Sequence, residues 1–361
     1  MAVEYSFGTI SVKPSRQLGR PVLRIATLLA ASLAIANYCH AQSSVVIEDV
    51  DNRIEVSVGD ELFTAFNYHD TAKPFLYPVM GPGQLPMTRN FPMKKSAGEE
   101  TDHPHHKSIW IGHKINGADF WTLRKGETIQ VVDDPSIDLE ASSITATSNW
   151  IDPKGTTICS DTTKWSFGCD EHARWIDCHF VLSASEGAIT IQDTKEGTVA
   201  IRTHPDLRLK PAPKHGVKEV FGNALNSQGT VGAEIWGQSA SWVLYSGPIN
   251  GDPASLLILD HPQNFRYPTT WHARDYGLIG ANPFGYHDFL NMPKGSGAVK
   301  LAEGQSLSLR YRFMFFGEEI GTEEAESRFQ LMETTFAPCD LPAEESGLES
   351  AEKSPSTSGR Q

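Results

Sequence analysis

Trp175-Ile176-Asp177-Cys178-His179-Phe180-Val181-Leu182 alternates strictly, with Ile176, Cys178, Phe180 and Leu182 on one face and Asp177 and His179 on the other. A period of two marks a strand with one face turned to a core. The pattern recurs outward from this stretch. Ile144 to Trp150 alternates, and Leu307, Leu309, Tyr311, Phe313 and Phe315 form the apolar face of a late strand with Arg310 and Arg312 opposite. Shorter pieces of the same kind are Ile54 to Val58, Ile189 to Ile191, Val199 to Ile201, Glu234 to Trp236, Trp242 to Tyr245 and Leu256 to Leu259. Many short strands divided by Gly and Pro turns predict an all-β fold, a large β-sandwich. One helix is expected after Thr322. Thr322 would cap it, Glu323, Glu324 and Glu326 favour its positive end, and Ala325, Phe329 and Met332 make its buried face.

The ends of the chain read differently from its middle. Arg16, Arg20 and Arg24 precede an apolar run from Ile25 to Ala36, and the segment closes Cys39-His40-Ala41. This is the pattern of a secretory signal peptide over residues 1–41, and the run is too short to span a bilayer. Residues 42–337 are expected to form a single β-sandwich domain, and the Glu-, Ser- and Pro-rich residues 338–361 a disordered tail. The chain therefore reads as exported, periplasmic or secreted, without stable membrane insertion after cleavage. Its net charge of −13 argues against nucleic acid as a partner. Beyond the leader lie Cys159, Cys169, Cys178 and Cys339. In an oxidising compartment a local disulfide among the first three is expected.

Three polar stretches carry the chemistry. The first is Asp102-His-Pro-His-His-Lys-Ser-Ile-Trp-Ile-Gly-His113. If it is extended, His103, His105 and Lys107 share one side and His106 faces the other, with His113 joining only if the chain bends at Gly112. Neighbouring histidines of this kind suit either turn hydrogen bonds or a divalent metal held by His103, His105 and His106. The second is Asp193-Thr-Lys-Glu-Gly197, leading to Arg202: a solvated turn, or a carboxylate pair for acid–base work. The third runs from Asp260-His-Pro262 through Arg266 and Trp271-His-Ala-Arg-Asp-Tyr276 to Asn282-Pro-Phe-Gly285. Aromatic rings stack on the C–H faces of sugars while Arg, Asp, Asn and His bond hydroxyls, although a rigid self-bonded loop has the same composition. No nucleophile elbow, phosphate loop or dinucleotide fingerprint is present.

Together, His103 to His113 with Asn116-Gly117 and Asp119-Phe-Trp121, Asp193 to Gly197, Asn226-Ser227, Trp236-Gly237, Tyr245-Ser-Gly247, Asp260-His-Pro262 and Trp271 to Gly285 resemble the bacterial PmoA family, labelled methane oxygenase. The resemblance spans nearly the whole domain and departs from the family pattern at Ile109 and around Ser166 to His172. It implies an exported protein with a galactose-mutarotase-like sandwich, although the usual mutarotase His and Glu motifs are not evident. The membrane enzyme behind the label has several transmembrane helices, and the sequence after residue 41 contains no such run. The expectation is therefore a carbohydrate-active protein that hydrolyses, eliminates or isomerises a sugar or glycoside. A binding module for a glycan or protein is the alternative, followed by a copper-dependent oxygenase. His105, His106 and His272 are the expected acid–base groups, with Asp193, Glu196 and Asp275 as partner carboxylates. Lys107, Lys195, Arg202, Arg266, Arg274 and Asn282 would bind substrate, and Trp121, Trp271 and Tyr276 would stack on it.

Overall fold

The alternating stretches become strands of two packed sheets. A computed structural model describes residues 45–96, 99–215 and 217–336. The expected leader, the tail and Cys339 lie outside them. In chain order the strands are β1 (Val45–Val50), β2 (Arg53–Val58), β3 (Glu61–Asn67), β4 (Phe75–Val79), β5 (Ile109–Ile111), β6 (Lys114–Ile115) and β7 (Ala118–Asp119). There follow β8 (Thr128–Val131), β9 (Ser136–Asp138), β10 (Ser143–Ile151), β11 (Thr157–Cys169), β12 (Ala173–Ser183), β13 (Ile189–Ile191) and β14 (Val199–Arg202). The last are β15 (Asn223–Asn226), β16 (Trp242–Ile249), β17 (Asp252–Asp260), β18 (Trp271–Ala273), β19 (Leu278–Ala281), β20 (Val299–Leu301) and β21 (Ser306–Phe316). The first sheet runs β1-β2-β3-β4-β5-β14-β19-β18, and the second β15-β16-β17-β21-β12-β11-β10-β8 with β9 beside β10. A small third sheet, β20-β13-β6-β7, completes the fold.

The hydrophobic core lies between the two large sheets. Ile176, Cys178, Phe180 and Leu182 of β12 meet the same core as Leu309, Tyr311 and Phe313 of β21 and Leu76, Ile109, Val199 and Ile279 of the first sheet. The outer face of the second sheet is also apolar around Trp242, Leu257, Leu259, Met314 and Phe316. Helix α2 (Thr322–Thr335; α1 is the short Tyr286–Leu290) covers it with Ala325 and Met332. The Arg312 guanidinium pins this layer, gripping both Asp177 carboxylate oxygens at 2.6 and 2.7 Å and Thr335 at 2.7 and 2.8 Å.

Three local expectations are corrected. Gly321 occupies the helix cap and Thr322 is the first helical residue. Gly232–Ile235 forms a 3-10 turn where a strand was expected, with Gly232 in the left-handed region. Cys159 and Cys178 are buried thiols without a disulfide. Their register explains it: Cys178 faces Trp165 across β11 and β12, six residues from Cys159, which is roughly 20 Å of strand, too far for a bridge. Cys169 faces Arg174, not Cys178, in the same ladder.

Candidate functional site

The outer face of the first sheet is neither apolar throughout nor covered by a helix. The strand registers align one row across it: Phe75 opposite Trp110, Trp110 opposite Ala200, Ala200 opposite Gly280, and Gly280 opposite His272. Three strand spacings separate Trp110 from His272, roughly 14 Å. Trp121 fills the interval, its ring centroid 5.1 Å from that of Trp110 and 6.5 Å from that of His272, so it lies over the two smallest residues of the row. A side chain at 280 would not fit, because a Cβ there would stand 2.9 Å from the Gly197 carbonyl oxygen.

Over this floor sits the first polar stretch, folded as a turn rather than a strand. The His106 amide donates to the His103 carbonyl at 3.0 Å, and His103 and Ser108 adopt positive φ. The parity argument for the histidines therefore fails, and His103 and His106 stack at 4.8 Å with His105 edge-on to both. His106 lies flat on Trp110 at 5.0 Å, and Tyr276 lies flat on His103 at 5.5 Å. The turn is held by Arg89, whose buried guanidinium donates to the carbonyls of Phe91, Glu100, Asp102 and His103 and to Asp102 Oδ1 at 2.7 Å. Nothing in the sequence around Arg89 signals this role. It acts through the turn 13 residues later.

Asp102 Oδ2 lies 2.6 Å from His103 Nδ1. Burial pushes the Asp102 carboxyl up, but the His103 hydrogen bond and the Arg202 and Arg89 guanidiniums outweigh it and hold the group well below the usual carboxylate range. An ionised carboxylate only accepts, so Nδ1 donates and Nε2 is left as the proton-accepting nitrogen. The other ring groups are different. Burial lowers His105 to about 3, and the neighbouring Lys73 and Arg124 act in the same direction. Burial likewise lowers His272 to about 3, helped by Arg274 and Lys195. His106 is pushed well down by burial, then by His105 and Arg202. All three are neutral at physiological pH.

The rim comes from the second and third stretches. The Arg202 and Arg274 guanidinium carbons lie 4.5 and 5.6 Å from the Tyr276 ring centroid. Lys195, paired with Glu196 at 3.5 Å, approaches His272, and the Glu196 charge acts on Tyr276. Lys107 donates to Thr71 Oγ1 at 2.6 Å above the Phe75 ring. Lys73, fully buried, donates to the Trp121 carbonyl at 2.8 Å, and burial lowers its pKa well below the ordinary lysine value.

Other expected site residues serve the framework. Asp193 accepts from the amides of His287, Gly295 and Gly297 at 3.0, 2.9 and 3.1 Å, so its carboxylate is a loop clamp. Arg266 donates to the carbonyls of Pro283 and Gly297, and Asn282 bonds the Thr194 carbonyl and the Phe284 amide. Trp271 points into the core with its indole on the Ala240 carbonyl, and Trp121 is a buried floor plate, so neither offers a free face for stacking. Asp275 pairs with Lys210 at 2.7 Å and lines a cavity of about 600 Å³ that shares no residue with the histidine turn. His113 is a core residue between the Gln192 carbonyl at 2.7 Å and Thr198 Oγ1 at 3.2 Å.

The metal set His103, His105 and His106 does not fit an ion. Among the described residues no three His, Cys, Asp or Glu side chains are arranged to hold one. The geometry shows why: stacked rings aim their nitrogens in parallel planes rather than at one point, and His106 Nδ1 faces the Arg202 guanidinium at 3.4 Å.

Fold and site define an all-β sandwich protein with a polar, aromatic, cation-rimmed face on one sheet. The chain belongs to the family of unknown function DUF6807, whose model matches residues 53–330. No curated protein matches it. Among solved structures it is similar to an α-galactosidase from Lactobacillus brevis, at 10% identity over 76% of this chain and 39% of that one, TM-score 0.36. It is also similar to a galactose mutarotase-like protein from Lactobacillus casei ATCC 334, at 11% identity over 75% of this chain and 100% of that one, TM-score 0.31. A galactose mutarotase related enzyme from Lactobacillus acidophilus aligns at 10% identity over 76% and 98%, TM-score 0.26. The chain spans about two fifths of the length of the α-galactosidases it matches. These likenesses are distant, and the chemistry of the site has to come from the residues of this chain.

Proposed function

We propose that the protein is an exported carbohydrate-active enzyme that transfers a proton at His103 while holding a sugar or glycoside along the half-exposed edge of the His103–Tyr276 stack. Export rests on the arginine-flanked apolar run and small-residue close of residues 1–41. The observation that carries the sugar reading is a half-exposed aromatic stack, His103 on Tyr276, beside the Asp102–His103 pair and Arg274 and over a floor of three buried polar atoms. Trp110 Nε1, Trp121 Nε1 and His272 Nδ1 make no hydrogen bond within the protein. Buried polar groups are nearly always bonded, and three exceptions on neighbouring rings set this face of the sheet apart, although all three are sealed from solvent. Hydroxyl groups both donate and accept, so a polyhydroxyl ligand meets the accepting His103 Nε2 and the donating Arg274 together, with its C–H face on the ring edge.

In this reading His103 Nε2 takes the substrate proton, and Asp102 stabilises the imidazolium that forms. Arg202 and Arg274, beside Tyr276, neutralise negative charge as it develops. His105, His106 and His272 are neutral hydrogen-bonding groups, not proton carriers. That same neutrality favours a second reading, sugar binding without turnover. One experiment separates them. The full chain and its His103→Gln variant are incubated with a panel of glycosides and free sugars, and products and saturable binding are followed by NMR. Product with the parent chain and at least a hundredfold less with the variant supports the enzyme. Binding without product supports the binding module, and neither binding nor product removes the sugar reading.

A further inference from the structure

The charge around this site runs against that of the rest of the molecule. The chain carries a net charge of −13, yet apart from the Lys195–Glu196 pair the rim is built from cations whose carboxylate partners are shared or missing. Glu100 is divided between Arg208 at 3.2 Å and Arg202 at 3.5 Å. Asp102 is divided among Arg89 at 2.7 Å, His103 at 2.6 Å and Arg202 at 3.7 Å. Two carboxylates therefore serve three guanidiniums, and Arg202 receives only the long contacts. Beyond these, Arg274 lies against Tyr276 without an ion pair to any carboxylate among the described residues. Lys107 has a hydroxyl partner and no carboxylate within ion-pair distance. Cations left unpaired on a partly desolvated face repel one another, and an anion would relieve that repulsion.

From this geometry we infer that the ligand is a carboxylate-bearing sugar, a uronate or uronide, with its carboxylate on Arg274 at the Tyr276 edge of the site, where it competes with Glu196 for Lys195. This rests on the sugar reading above and narrows it to a substrate class. The partly exposed Arg274 is the accessible guanidinium, whereas Arg202 is buried and acts from behind the Tyr276 ring. A guanidinium fork matches the planar carboxylate with two parallel hydrogen bonds, which a lone ammonium does not. The neighbouring His103 and Tyr276 rings then offer an edge against which the sugar ring lies, with its hydroxyls toward His103 Nε2.

The test is a comparison of affinities by calorimetry and ligand-observed NMR on the full chain, in buffer of about 150 mM ionic strength. Glucuronate and galacturonate are compared with glucose and galactose, and with acetate and glucose 6-phosphate. The uronates should bind at least tenfold more tightly than the hexoses, and more weakly as salt is raised. Arg274→Gln should lower uronate affinity at least tenfold, and Arg274→Lys should recover part of it, with melting curves confirming that both variants fold. Hexoses that bind as tightly as uronates overturn the inference while leaving the sugar reading standing. So does Arg274→Gln lowering hexose and uronate affinity by the same factor. Acetate alone matching the uronates would make the site a simple anion site, and glucose 6-phosphate matching them would make it a sugar phosphate site; either result overturns the inference. Failure of every sugar to bind removes both readings.

Discussion

Between Asp102 and His106 the chain turns so that one dyad, Asp102 with His103, faces the rim, above indole and imidazole nitrogens that have no partner. Around Asp193 the chain also gathers carboxylates, a lysine, an arginine and aromatic rings, but there the strong polar groups close on backbone. Asp193 takes three amides, Arg266 two carbonyls and Asn282 one of each. Composition does not separate the two regions; hydrogen-bond satisfaction does. A knot whose polar groups are mutually bonded gains rigidity and has little left to offer a ligand, whereas the histidine turn keeps acceptors and cations in reserve.

The largest expected effect tests the site side of this comparison. His103→Gln should lower turnover by about 10²- to 10⁴-fold, the usual contribution of a positioned acid–base group. Its stability should change by no more than about 1 kcal/mol, because the side chain is 39% exposed and its one strong partner stays anchored by Arg89. Urea unfolding beside steady-state rates reads both numbers. A loss of less than tenfold would place the proton transfer elsewhere.

The knot should respond in the opposite sense. Asp193→Ala strands three backbone amides and should cost about 2–4 kcal/mol of stability, since hydrogen bonds to a charged group are worth about 1.5–3 kcal/mol each and water recovers part of the loss. Rates measured well below its lowered melting temperature should stay within a few-fold of the parent chain. A hundredfold rate loss at unchanged stability would break the comparison and return Asp193 to the chemistry.

How much of this was legible beforehand follows the range of the interactions. The β12 and β21 faces were readable because strand alternation is local, and the core uses the faces that alternation named. Of the three polar stretches, the first and third come together where Tyr276 meets His103 and Arg274. Their roles were not readable. Pro104 and the positive φ of His103 and Ser108 turn a segment that parity treated as extended, so His103 gained the dyad and His106 became a floor plate. The partners that make Asp193 a clamp lie 94 to 104 residues away, at His287, Gly295 and Gly297, and no local pattern announces them. The Ala200–Gly280 gap was likewise set by register across strands, and Lys73 and Arg89 act on groups 48 and 13 residues further along the chain.

Acid should probe both regions together. His113, packed against Phe284 and Gly197 beside the knot, is lowered to about 4 by burial, and His272 in the site to about 3. Both folded values lie below the unfolded value near 6.5, so between them the unfolded chain binds protons that the folded chain refuses. The stability this gives is complete above about pH 6.5 and is lost as pH falls toward the folded values, at a slope of about 1.4 kcal/mol per pH unit for each such histidine. Urea midpoints from pH 8 to 4 should fall accordingly. Replacing either His113 or His272 with Gln should flatten the slope by about one proton, and an unchanged slope would mean that the residue is charged in the folded state.

Glu196 marks the boundary, since it shares a turn with Asp193 but lies on the rim with its charge toward Tyr276. Its contact with Lys195 is 3.5 Å long between side chains that are 34% and 37% exposed. Such pairs contribute about 0–1 kcal/mol and are screened by salt. Glu196→Gln should therefore change the unfolding free energy from urea titration by no more than about 0.5 kcal/mol, and turnover by less than tenfold. The informative quantity is the affinity for anionic sugars, which should rise by a small factor at low salt because Lys195 loses its competitor, and the gain should vanish at high salt. Turnover abolished in this variant would make Glu196 a reacting carboxylate, and the line between site and clamp would then run between Asp193 and Glu196 rather than between the two loops.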